Sequence, residues 1–187
     1  MARKSKQIVQ HPLLVLARIA VETYVREGRI IPVPPKLPDD QRQPKGVYVS
    51  LIKHNELRGC VGSVRPIHES LAAEVIANAI NAAHHDPRFR PLQADELFDM
   101  AYILDIVEGL QTITPEQIDP TNYGVVVQCK KRVGVVLPQT AAIDTAEAQL
   151  TLALGRAGLE VGDQYDLYRF RVQRLVEASG KYQPAIS

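Results

Sequence analysis

The chain is 187 residues long, enough for one substantial core or two small lobes, and its 45% hydrophobic and 23% charged content is that of an ordinary globular chain. Lys plus Arg number 22 and Asp plus Glu 21, a formal net charge of +1, so no global charge draws the chain to nucleic acid or to an anionic membrane. Tryptophan is absent and aromatics make up 5%, which advertises no platform for stacking bases, and no apolar run reaches the length of a membrane span.

The cysteines are Cys60 and Cys129, in no CxxC pair, so a reduced, cytoplasmic setting is expected rather than a disulfide framework. The basic start Met1-Ala2-Arg3-Lys4-Ser5-Lys6 has the look of a signal peptide's first region. The apolar run that should follow is broken by Gln10, His11, Arg18 and Glu22, with no small-residue cleavage site, which keeps the cytoplasmic reading.

Residues 11–28 carry Leu13, Leu16, Ala17, Ala20, Val21, Tyr24 and Val25 at i, i+3, i+4 spacing. With Arg18, Glu22 and Arg26 off that stripe, this predicts an amphipathic helix closed by Gly28. Pro32, Pro34, Pro35, Pro38 and Pro44 make residues 29–45 an extended loop. Val47 to Ile52 is a β-branched and aromatic run, Lys53 to Glu56 a polar turn, and Leu57 to Val64 the returning strand. Ile67 to His84 is predicted helical on the stripe Leu71, Ala72, Val75, Ile76, Ala79, Ile80 and Ala83, ending before Asp86-Pro87. A short helical piece over Ala94 to Phe98 and a strand over Ala101 to Val107 follow.

Thr114-Pro115 reads as the cap and first residue of a helical turn. Gly124 to Cys129 and Val133 to Leu137 make a second hairpin around Lys130-Lys131-Arg132, a basic tip of the kind usually solvated. A helix from Thr145 to Arg156 turns Ala146, Leu150, Ala153 and Leu154 inward and stops at Gly158. Leu167 to Val176 alternates as a final strand, and the tail from Ser179 is expected to be loose. The stretches opened by Gly46 and Gly124 look like two copies of one ββα plan, with Gly134-Val135-Val136 where the first has Gly59-Cys60-Val61. Hairpins this short also resemble one another by chance; two true copies would leave a groove for a ligand.

The chemistry gathers at Leu57-Arg58-Gly59-Cys60-Val61-Gly62. Residues two apart on a strand share a face, so Arg58 and Cys60 are expected to point the same way. A neighbouring guanidinium and a following helix N-terminus would lower the thiol's pKa, and Gly59 and Gly62 bare the backbone for a bend or a ligand. Cys60 reads either as a nucleophile or redox thiol, or as a small buried residue in a tight strand. Arg58 reads as an anion ligand or as the partner of Asp86, and Arg88 as a second anion ligand beside it. The duller account of Asp86-Pro87-Arg88-Phe89 is a helix-ending turn, with Phe89 in the core and Asp86 on backbone donors. His85 is a base for Cys60 if the helix end folds back, or else a solvated helix end. His54, Cys60 and His68 match no zinc spacing, and there is no GxGxxG or P-loop, so neither a metal nor a cofactor is expected.

Leu57 to Gly62, Asn81-Ala82-Ala83 with Asp86 to Phe89, Glu96-Leu97, and Gly134-Val135-Val136-Leu137-Pro138-Gln139 together resemble the signature of the AMMECR domain family, across roughly residues 13–177. The resemblance implies an α+β fold (mixed α/β) as a single domain with its core at about 11–178, in two unequal lobes with the RGC motif near the cleft between them. Bacterial and archaeal members are similar to protein A of the AmmeMemoRadiSam set, which implies a Memo-like protein and a radical SAM enzyme as partners. The candidate catalytic set on this chain is Cys60, Arg58 and His85, and the candidate ligand contacts are Gly59, Gly62, Asp86, Arg88, Pro138 and Gln139. The His84-His85 pair is not part of that signature, and Val61 stands where isoleucine is common. Two functions compete: a small enzyme or enzyme subunit using Cys60, with arginines orienting a small anionic substrate, and a non-catalytic module that holds a ligand or docks a partner. RNA binding stands third, weakened by the charge balance and the scarcity of aromatics.

Overall fold

The two periodicities in the sequence, helical and alternating, resolve into an α+β fold in the computed structural model, which describes residues 11–160 and 162–177. The helices are α1 (Pro12–Glu27), α2 (Asp39–Arg42), α3 (Leu71–His84) and α4 (Ala146–Ala157). The strands are β1 (Val47–Lys53), β2 (Glu56–Ser63), β3 (Met100–Thr112), β4 (Gly124–Cys129), β5 (Arg132–Val136) and β6 (Asp166–Val176). They hydrogen-bond in the order β2-β1-β3-β6-β4-β5. Two compact units divide the chain: one runs up to Ile106 and resumes at Arg174, and the other is Val107–Gln173. The basic start at Met1–Lys6 and the tail from Ser179 lie outside the described residues. No helix among the described residues is long and apolar enough to cross a membrane.

In the first unit β1 pairs antiparallel with both β2 and β3, and α1 and α3 cover one face. Leu13, Ala17, Ala20 and Val21 of α1 meet Leu71, Val75, Ala79 and Ile80 of α3 over Val47, Val49, Leu51 and Leu104. His11 opens α1 by accepting the Leu13 N–H, Pro12 holds its first position, and Gly28 closes it at φ 66°. Arg18 lies off the apolar stripe but is not merely solvated. It forks onto the buried Glu177 (2.9 and 2.7 Å), donates to the Met100 carbonyl and stacks on Tyr102.

Four features depart from the sequence expectation. The proline-rich loop contains α2, a single turn after Pro38 that buries Gln41. Helix α3 begins at Leu71, not Ile67: Ser70 caps it, and the fully buried Glu74 reaches back to accept from the Ile67 and His68 amides (2.9 and 2.8 Å). That holds residues 67–68 out of the helix. The helical piece expected at Ala94 to Phe98 is a 3-10 turn at Leu97–Asp99, and β3 runs on past its buried stretch as an exposed strand to Thr112.

In the second unit β4 pairs with β5 and β6, and α4 covers Val125, Val127, Val136 and Leu167 with Ala153, Leu154 and Ala157. Thr145 caps α4 and Gly158 closes it at φ 63°. Each hairpin presses one glycine against a helix backbone. A Cβ on Gly59 would lie 2.1 Å from the Ala82 carbonyl oxygen, and one on Gly134 would lie 1.9 Å from that of Ala153. Neither helix can retreat without uncovering its core. Gly59→Ala and Gly134→Ala are each expected to cost about 3 kcal/mol as overpacking. Gly155→Ala, open on all sides within α4, is expected to gain up to about 1 kcal/mol. Urea unfolding midpoints of the three variants measure the contrast.

Candidate functional site

Cys60 lies opposite Ser50 in the β1–β2 ladder, on a strand whose other side has no β partner among the described residues. Its N–H and C=O point away from β1, as at a non-hydrogen-bonded pair. Both are met by side chains. The Cys60 amide donates to Asp86 Oδ2 at 2.8 Å, and its carbonyl accepts from Arg88 at 3.1 Å. Asp86 and Arg88 are locked to each other by a forked pair at 2.9 and 2.7 Å, and Asp86 also accepts the Arg88 amide. Burial works to raise the Asp86 pKa, but the bonds from Arg88 and the Cys60 amide outweigh it and hold the carboxyl below its usual range.

Non-hydrogen-bonded pairs bring side chains close, and Ser50 Oγ donates to Cys60 Sγ at 3.2 Å. Burial pushes the thiol's pKa up, with the Ser50 bond and the Arg88 charge pulling the other way. The net direction is opposite to the lowering expected from sequence. The second unit has the same frame with different contents. There Val126 faces Val135, one residue past the helix-pressed Gly134, and Arg156 donates to the Val135 carbonyl. Glycine and edge-capping arginine recur, whereas among the described residues the serine–thiol pair and the aspartate occur only around Cys60.

Arg58 is not the thiol's neighbour. The β1–β2 register slips between Leu51 and Ile52, Leu51 facing Gly59 and Ile52 facing Leu57, which leaves Arg58 over as an extra residue. The alternation that was to align Arg58 with Cys60 is broken there. Arg58 forks onto Glu96 (3.1 and 2.9 Å) and donates to the Arg90 carbonyl, while Lys53 meets the same carboxylate at 2.9 Å. Arg58 therefore pairs with Glu96, not Asp86, whose ion-pair partner is Arg88. Glu96 also accepts the Gln93 amide, and its pKa is held down to about 2, chiefly by the Arg58 bond.

The remaining residues have contacts of their own. His85 is exposed, bonds Asn81 at 3.0 Å, and lines a pocket of about 340 Å³ with Tyr24, Ile31, Ile76 and Ile80, in whose wall Cys60 has no part. Gly62 makes room for Tyr48, whose ring a Cβ would meet at 2.5 Å. Phe89 is half-buried under the Arg88 guanidinium at 5.4 Å instead of plugging the core. Pro138 is buried in the second unit, and Gln139, at φ 54°, donates its amide to the Pro120 carbonyl. Sequence reasoning missed Ser50, Glu74 and Glu96 as working residues. Glu96 stood in the quoted signature without a role, and nothing in the sequence marks Ser50 except its ladder position.

An α+β chain of two hairpin–helix units, with an RGC strand gripped by an Asp-Pro-Arg turn, defines a class rather than a reaction. The chain matches the AMMECR1 family over residues 14–175 and belongs to it. It is 38% identical over 171 residues to a Thermotoga maritima protein, covering 89% of this chain and 98% of that one. It is 36% identical over 177 residues to a Clostridium acetobutylicum protein, covering 94% of this chain but spanning only 38% of that protein's length. A crystal structure of an uncharacterised Pyrococcus horikoshii protein superposes with a TM-score of 0.80 at 28% identity, covering 87% of this chain and 88% of that one.

Glu96 sets a pH signature. Its folded-state pKa of about 2, down from 4.5, adds stability that is complete above 4.5 and lost as pH falls towards 2, amounting to about 3 kcal/mol. Glu96→Gln is expected to lower stability by about that much at pH 7 and to remove its share of the loss on acidification. Urea titrations from pH 7 to pH 2.5 test both.

Proposed function

We propose that this protein is a cytoplasmic binding module whose contact surface centres on Cys60 as a neutral thiol, and that it works beside a larger partner instead of turning over substrate by itself. The observation that carries this is the state of the site's charges. Arg58 is neutralised by Glu96, Arg88 by Asp86, and burial favours the protonated sulfur. A thiol nucleophile needs the reverse: unpaired cations and a base at hand. Arg88 remains half exposed, so its guanidinium is the contact left for a small anion. The match to a fraction of the longer Clostridium protein supports a module that acts as part of something larger. A Memo-like protein or a radical SAM enzyme is the partner this reading adopts.

Thiol catalysis is the second reading, and one observation favours it. The fold accepts a Val126–Val135 pair where the first unit has Ser50–Cys60, so packing alone does not call for the sulfur. Alkylation of Cys60 in Cys129→Ser protein separates the two. The module reading expects slow labelling with an apparent pKa at or above the unperturbed ~8.5. Fast labelling with an apparent pKa well below that, lost in Arg88→Ala, would reject it.

A further inference from the structure

On β6 of the second unit, two arginines share one aromatic ring with no ion pair to a carboxylate among the described residues. Arg169 and Arg171 lie two apart on β6, and the β4–β6 register, extended by one residue from Gly124 facing Phe170, puts Tyr123 opposite Arg171. Both guanidiniums lie over that ring, at 4.4 and 4.9 Å from its centroid, and Arg171 donates to the Tyr123 hydroxyl at 2.6 Å. Arg169 Nε meets Gln111 Oε1 at 3.3 Å. Among the described residues neither has a carboxylate within ion-pair distance, which leaves both terminal nitrogens of Arg169, and Nε and one terminal nitrogen of Arg171, without a protein acceptor. Asp119 feels the charge of Arg169, but its oxygens are taken by Asn122 and the amides of Thr121 and Asn122.

The ring that gathers the two cations is itself fixed. The Tyr123 amide donates to the Asp119 carbonyl, and its carbonyl accepts from the fully buried Gln149, both at 2.9 Å. Next to it, a Cβ on Gly124 would meet the Phe170 ring at 2.4 Å, so that strand cannot shift towards β6. The Gln139 amide braces the same loop through Pro120, which gives the Leu137-Pro138-Gln139 stretch a use. Two like charges held on one rigid ring repel each other, and an anion between them removes that repulsion. A monocarboxylate engages one guanidinium fork; a tetrahedral dianion offers oxygens to both and matches their combined charge.

We propose that Arg169 and Arg171, gathered on Tyr123, form an oxyanion site for a phosphate monoester. It is independent of the Cys60 reading and stands or falls alone. The test follows the arginine Nε–H signals by nuclear magnetic resonance at fixed ionic strength, with inorganic phosphate, methyl phosphate, dimethyl phosphate and acetate as probes. Inorganic phosphate and methyl phosphate are expected to shift the Arg169 and Arg171 signals saturably. Arg171→Gln should weaken that binding at least about tenfold, and Arg171→Lys, which keeps the charge without the fork, by a smaller factor. Three results would overturn the proposal: no saturation, equal affinity in Arg171→Gln, or dimethyl phosphate binding as tightly as methyl phosphate. The last would mark a patch for a diester backbone instead of a monoester. Arg171 is exposed, so Arg171→Gln should leave the fold intact, and thermal unfolding checks it.

Discussion

An edge strand leaves a row of outward N–H and C=O groups unpaired, and at Cys60 the partner strand is replaced by two side chains. Asp86 takes the amide and Arg88 the carbonyl, and each holds the other in place. Much of the first unit depends on this grip. It ends α3, since Asp86 can reach β2 only if the chain leaves the helix at His84. It keeps α3 against Gly59, and it seals one side of the strand against pairing with another chain. An Asp-Pro-Arg turn suits the task, because proline stops the helix while aspartate and arginine supply one acceptor and one fork.

The second unit shows which parts of this arrangement the fold itself needs. Gly134 repeats the close approach of Gly59, and Arg156 repeats the capping of a strand carbonyl by Arg88. Asp86, Ser50 and the thiol are not repeated. The frame is therefore a matter of packing, and the contents at Cys60 are particular to the first unit. Buried charge follows a similar economy. Glu96 is shared by Arg58 and Lys53, Glu177 is held by Arg18, and Asp105 is held by Arg174, so the charged residues that interrupt apolar stripes act as ties between elements. Glu74 is the exception among the described residues, held not by an ion pair but by the Ser63 hydroxyl, the Asn78 amide and two backbone amides.

The elements were legible because they rest on local signals. The stripe from Leu13 to Val25, the cap at Thr145 and the stops at Gly28 and Gly158 each act within a turn or two of chain. The two hairpins were visible for the same reason. The site was legible only as a location. Its motif was found, but the role of Arg58 turned on a one-residue slip in the ladder that no periodicity records. The direction of the thiol's pKa turned on burial, which depends on what covers the strand, and the partner of Arg58 lies 38 residues away in sequence. Tyr123 was passed over because the cations that gather on it come from β6, on the far side of α4 in the chain.

Amide hydrogen exchange at Cys60 tests the central claim most directly. If Asp86 is the acceptor that closes the edge, the Cys60 amide exchanges slowly in the native protein. In Asp86→Ala it should speed up by about tenfold or more, the worth of one charge-assisted bond, while the ladder amides of β1 and β3 keep their rates. A Cys60 amide that exchanges at the unprotected rate in the native protein, or that ignores the loss of Asp86, would contradict it.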